Sequence, residues 1–303
     1  MRLVFLSLVG ILSIFGVASG LKSPRKQAPF SEILTSTSSS TLNIRGGAGA
    51  LDQSALNAAG YLQDSKSKVA MAGAVLVGAG GLLNILCSET IMNAHGATNA
   101  MDDDLMINEF IGFTQLTDAV MTLLIVAYGV DVNTALAYGL VPQMIFFTLG
   151  LINEVPKKFG TSSSKFKFWM ATDVVLHLGL LKGTSWANDA YKSVISVTFF
   201  SHAITRLDPA KTMEFCGRTK ALAPLTVSLL KISSEVGMSM CVLAFALASG
   251  VDPYESLGLG WATIVVTLFI STLITKELDE NINRNIFMAW VAVSATIAGT
   301  LLF

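Results

Sequence analysis

Charge is what this sequence has least of. Asp, Glu, Lys and Arg make up 14% of its 303 residues, where a soluble domain carries about 25%. What charge there is falls in short connectors between long runs that hold almost none. Those runs, in a chain that is 52% hydrophobic, exclude one large soluble core and describe a polytopic membrane protein set in a lipid bilayer. A formal net charge of −1 and the lack of any dense basic block give no reason to expect a nucleic-acid partner. Cysteine is nearly absent as well: Cys87, Cys216 and Cys241 match neither a disulfide framework nor a zinc spacing. There is no phosphate loop, no Gly-x-Ser-x-Gly elbow, no His-Glu-x-x-His and no Cys-x-x-Cys. The expectation is therefore no metal, no cofactor and no recognisable catalytic motif.

What is present is a repeat. From Val120 the chain reads VMTLLIVAYGVDVNTALAYGLVPQMIFFTLGLI, and from Ser239 it reads SMCVLAFALASGVDPYESLGLGWATIVVTLFISTLI. Each is an apolar run, a Gly-Val-Asp hinge and a second apolar run, with Gly129 and Gly250 standing 121 positions apart. Smaller echoes follow at nearly the same lag: Thr90-Ile91-Met92 with Lys211-Thr212-Met213, and Phe168-Trp169-Met170-Ala171 with Ile286-Phe287-Met288-Ala289. An internal repeat decides architecture before local reading does. Apolar segments are expected over 69–86, 110–127, 133–152, 166–181, 186–205, 222–249, 257–275 and 286–303. The fifth is the weakest, diluted by Asn188, Asp189, Lys192, His202 and Arg206. In lipid only helices or closed barrels satisfy the backbone, and runs near 20 residues choose helices. The predicted fold is an all-α membrane protein of about eight transmembrane helices in two tandem four-helix repeats, 66–184 and 185–303.

The N-terminus reads as an address. Arg2, an apolar run from Leu3 to Val17 and the small residues Ala18-Ser19-Gly20 make a secretory signal peptide over 1–20. Residues 21–65 are basic, Ser/Thr-rich and acid-poor, the composition of a transit peptide or of a disordered tail. A signal peptide followed by such a segment resembles the bipartite plastid presequences of algae with secondary plastids, although Leu21 stands where those favour an aromatic. Entry by the secretory route to a plastid membrane or an endomembrane is what this reading implies. Charge bias agrees on orientation. Loops 153–167, 206–220 and 276–284 hold ten Lys and Arg, while the two Gly-Val-Asp turns and the C-terminus hold none. The positive-inside rule puts those loops on the cytosolic or stromal side and the N-terminal tail opposite.

Ionisable residues at membrane depth need a partner or a task, since each costs about 2.5–3.5 kcal/mol at a helix centre on insertion scales. Asp173 and His177 stand one turn apart on one helix face, a spacing that suits either a proton relay or a polar staple. Lys231 and Glu235 are a second such pair, either an intrahelical ion pair or part of a site. Asp118 lies at similar depth on the helix before the first Gly-Val-Asp turn, so it and Glu235 can face a shared axis. Asp118, Asp173, His177, Lys231 and Glu235 form the candidate intramembrane polar site. His202 and Arg206 read as an interfacial pair with a snorkelling Arg, and Asp102-Asp103-Asp104 as a solvated acidic loop.

The four-helix unit, with a polar residue on its second helix (Gln115; Glu235) a few turns before a tight glycine turn (Gly129; Gly250), resembles the DoxX-like group of small membrane proteins. That resemblance spans about 68–303 as two copies and implies no catalytic residues. Three functions stay open. One is a binding or structural membrane protein that packs against a partner, a second copy or lipid. The second is a small-solute or proton-coupled transporter with its site between the repeats. The third is a membrane oxidoreductase or lipid enzyme that uses the same polar residues.

Overall fold

The computed structural model describes residues 49–97, 100–275 and 283–303, with side chains from Asp64 onward. The signal-peptide segment 1–20, residues 21–48 and most of the 276–284 loop lie outside the described residues. The chain divides into Met1–Ser65 and Lys66–Phe303, and everything below concerns the second unit except the start of its first helix.

Among the described residues every regular element is helical. The order is α1 (Gly49–Leu86), the short α2 (Ser88–Ala94), α3 (Asp102–Val126), α4 (Val132–Ile152), the short α5 (Val155–Phe159), α6 (Ser163–Leu181), α7 (Ser185–Leu207), the short α8 (Pro209–Phe215), α9 (Pro224–Ala248), α10 (Pro253–Phe269) with a π turn at Ile270–Ile274, and α11 (Arg284–Leu302). Six stretches are long and apolar enough to cross a membrane: Asp64–Leu86, α3, α4, α9, Pro253–Ile274 and α11. The segments expected over 166–181 and 186–205 are the helices α6 and α7, which fall short of that measure. Each carries ionisable residues along its length: Lys165, Lys167 and Asp173 in α6, and Asp189, Lys192 and Arg206 in α7.

The two Gly-Val-Asp hinges fold by one mechanism. Gly129 (φ +61°) and Gly250 (φ +82°) close α3 and α9 in the left-handed conformation that a glycine adopts without strain. A Cβ at either would meet nothing within 4 Å, so the backbone conformation and not crowding selects glycine. Val130 N–H then bonds Leu124 O at 3.0 Å, and Val251 N–H bonds Ala246 O at 3.1 Å. Two residues on, Asp131 accepts from Thr134 N–H, and Asp252 accepts from Tyr254 and Glu255 N–H, capping the next helix.

Helices α3 and α9 form the inner pair. Of their apolar windows 61% and 78% are buried, against 33% for α1 and α11. α4 and α10 pack beside them, with α6 and α11 beyond. Outward faces stay apolar: Val75, Leu86, Val175, Val197, Phe200, Val266 and Ile274 are all exposed. A water-facing surface rarely carries so many, and a bilayer covers them. Two buried clusters fill the interior, one around Met121, Leu136, Tyr191 and Ala244, the other around Met92, Ile107, Ile232 and Phe287.

The acidic triplet expected as a solvated loop is instead the first turn of α3. Asp104 is fully buried, accepting from Met101 N–H (2.9 Å) and from Thr226 Oγ1 (2.6 Å). Asp103 pairs with Arg218 Nη2 at 2.7 Å, and Arg218 Nη1 donates to Phe159 O at 2.8 Å. These contacts tie the start of α3 to α5 and to the approach to α9, with carboxylates placed where the helix dipole favours them. Arg218→Ala should lower stability by about 2 kcal/mol, because it strips donors from a buried carbonyl and a partly buried carboxylate. Denaturant titration in mixed micelles measures this, and Lys220→Ala, which removes a side chain from an exposed residue, should change little.

Candidate functional site

Two cavities flank the α3–α9 pair. The first, about 270 Å³, is walled by α1, α2 and α3 on one side and by α9, α10 and α11 on the other. The second, about 310 Å³, lies among α3, α4, α6, α7 and α9, with α5 and α8 at its edge. Both approach the size of small-molecule sites, about 300 Å³ upward.

Glycines make room for the first. Gly73 lets Trp261 come against α1, where a Cβ would stand 3.2 Å from the ring, and Gly80 leaves its side open except for the end of Gln115. The lining is mainly apolar and aromatic, with Val77, Leu243, Trp261, Phe287 and Trp290. Most of its polar groups are already satisfied. Asn84 Nδ2 donates to Gln115 Oε1 at 2.8 Å, Asn108 Nδ2 donates to Ser88 Oγ at 3.0 Å, and Ser239 Oγ donates to Gly260 O at 2.8 Å.

Three residues lining this cavity each hold a buried side-chain oxygen without a hydrogen bond among the described residues: Asp118 at Oδ1, Ser294 at Oγ and Glu235 at Oε2, the last on a carboxylate whose Oε1 is paired. Buried polar atoms are nearly always bonded. A carboxylate held so at membrane depth costs several kcal/mol unless something meets it.

Glu235 also lines the first cavity, but its charge is met. Arg206 Nε donates to Glu235 Oε1 at 2.7 Å, with the two side chains 14% and 1% exposed. Arg206 Nη2 donates to Ser271 Oγ at 2.6 Å, and Ser271 Oγ in turn donates to Glu235 Oε1. Ser271 sits in the π turn that ends α10, where Thr275 N–H reaches back five residues to Ile270 O. A single π turn inside an α-helix re-aims side chains and recurs at functional sites. Here it delivers a hydroxyl to an ion pair linking α7, α9 and α10. The expected interfacial, snorkelling Arg206 is therefore corrected: it turns inward, because Glu235 offers a carboxylate that water does not reach. Lys231, half-buried one turn earlier on α9, lines neither cavity.

Asp173 is buried and lines the second cavity, apart from Asp118 and Glu235. His177 donates from Nδ1 to Ala137 O at 2.8 Å and sets its ring edge-on to Tyr138, tying α6 to α4. Asp173 and His177 share a helix face but no hydrogen bond among the described residues. The structure thus brings Asp118 and Glu235 to one chamber and leaves Asp173 in another. Sequence reasoning missed Ser271, Ser294 and Arg218. A lone serine in an apolar helix carries no signal, and Arg218 sits in a polar loop like its exposed neighbours. No group of three His, Cys, Asp or Glu that could hold a metal occurs among the described residues. No family model, curated protein or solved structure matches the chain.

Proposed function

We propose that the protein is a membrane protein of two DoxX-like four-helix halves that binds an amphipathic small molecule or lipid in the first cavity. One observation carries this: an apolar, aromatic chamber about 270 Å³ in volume, walled by α1–α3 and α9–α11, whose lining includes Asp118 and Ser294, each with a buried oxygen that has no hydrogen bond among the described residues. Apolar walls with a few convergent polar groups are the usual composition of a ligand site.

The doubling is supported by geometry as well as by the hinges. Long helix, short helix, then three long helices with a glycine turn between the first two is the order of α1–α4 and α6 and again of α7–α11, with the short α5 falling between α4 and α6 in the first half. Eight spans are supported by α6 and α7 themselves. Val174, Val175 and Leu178 on α6, and Val197, Phe200 and Ile204 on α7, are exposed, while Asp173, Arg206 and Tyr191 turn inward. Their low apolarity is an interior property, and their outer faces suit lipid.

The test fills the chamber. Gly80→Phe places a ring where a Cβ meets only the end of Gln115 at 3.8 Å. Native mass spectrometry of the full chain released from nanodiscs should find a bound amphiphile in the wild type, and Gly80→Phe should reduce its occupancy at least about tenfold. Equal occupancy in the two proteins defeats the proposal. A transporter remains the second reading, favoured by cavities on both sides of the inner pair, each with its own acid. Exchange of the bound amphiphile between leaflets of a proteoliposome, abolished by Gly80→Phe, separates transport from holding.

A further inference from the structure

We propose that the occupant of the first cavity carries a protonated amine, its ammonium group held by Asp118 and Ser294 and its chain lying against Trp261, Trp290 and Phe287. This rests on the ligand-binding reading above and adds the headgroup.

Three observations select the chemistry. Asp118 and Glu235 are the carboxylates of this chamber, and Glu235 is already met by Arg206. Asp118 has no ion pair, and no hydrogen bond at its buried Oδ1, among the described residues, so a cation entering the chamber is what would hold it ionised, while an anion would oppose it. That disfavours a carboxylate or phosphate headgroup. An ionised carboxyl only accepts hydrogen bonds, so its partner must donate. The second orphan, Ser294 Oγ, both donates and accepts. An ammonium offers three N–H donors and can give one to each oxygen while supplying the missing positive charge. A neutral alcohol offers a single donor and no charge. The indole rings of Trp261 and Trp290 add faces that attract a cation and apolar area for a chain. His95, the other titratable side chain on this wall, gives Nδ1 to Ile91 O within its own short helix.

The probes are 12-bromododecylamine, 12-bromododecanol and 12-bromododecanoate, which share a tail and differ in head. Bromine quenches tryptophan on contact. The full chain in nanodiscs carries Trp169→Phe and Trp186→Phe, so that Trp261 and Trp290 report. The amine should half-saturate the quenching at a concentration at least about tenfold below the alcohol, with the carboxylate weakest. Asp118→Asn should bring amine and alcohol within about twofold, and Ser294→Ala should weaken the amine severalfold while sparing the alcohol. If the amine and the alcohol bind alike in the unmutated cavity, and Gly80→Phe abolishes both, the headgroup is wrong and the chamber stands. If none of the three quenches saturably, the ligand-binding reading falls too. An amine preference that survives both Asp118→Asn and Ser294→Ala overturns the placement of the head.

Discussion

Arg206→Met should lower the unfolding free energy by about 3–5 kcal/mol, the cost of removing one member of a buried ion pair. Glu235 would keep its charge with 1% of its side chain exposed and lose the cation 2.7 Å away. Ser271 would still donate to it, but one hydroxyl offsets only a fraction of the charge. Glu235→Met takes the carboxylate away from Arg206, but Arg206 keeps its bond to Ser271, is 14% exposed and can swing its guanidinium toward the membrane surface, so this loss should be smaller. The double substitution should recover most of what Arg206→Met loses, since an apolar pair of similar volume often replaces a buried ion pair at little cost. The readout is the four-way cycle of unfolding free energies in mixed micelles. Single substitutions that each fall within about 0.5 kcal/mol of the parent, outside the range for buried pairs, would mean that the pair is solvated.

That ion pair also marks the limit of what could be read from the amino acids. The hinges were legible because a turn leaves a local signature: a glycine for a left-handed φ and an aspartate two residues later for a cap. Long apolar runs announced α3, α4, α9, α10 and α11 for the same reason, that composition within one segment is enough. Arg206 was misplaced because its partner is 29 residues away on another helix, and sequence distance hides a contact that three-dimensional packing makes. Asp103 and Asp104 were misread in the same manner, since an acidic triplet has one composition whether water or Arg218 and Thr226 meet it. Of the site, Asp118 and Glu235 were expected to face a common axis and do share a chamber. Asp173 and His177 have relay spacing, but His177 spends its Nδ1 hydrogen on the Ala137 carbonyl, which no spacing rule could foresee. The π turn was invisible, because inserting one residue into a helical turn leaves Ile270–Ile274 as apolar as its neighbours.

Gly112→Leu should cost more than about 3 kcal/mol, while Gly80→Ala, on the helix that Gly112 touches, should be neutral or stabilising by up to about 1 kcal/mol. The contrast follows from what a Cβ meets. At Gly112 it would lie 2.6 Å from the Gly81 carbonyl oxygen and 2.8 Å from Ile85, and at Gly81 it would lie 2.7 Å from the Gly112 carbonyl oxygen. Backbone cannot rotate away as a side chain can, so α1 and α3 must move apart, and small residues are what let membrane helices approach so closely. Gly112→Ala, with one methyl, should fall between, at about 2 kcal/mol. At Gly80 the added methyl meets only the end of a flexible glutamine at 3.8 Å, and the helix gains intrinsic propensity. Because α1 and α3 are two walls of the first cavity, separating them also dilates the chamber. Gly112→Ala should therefore weaken amphiphile binding more than Arg218→Ala, whose contacts lie away from that cavity. Equal losses of binding at equal losses of stability would show that the chamber senses global unfolding rather than the α1–α3 crossing.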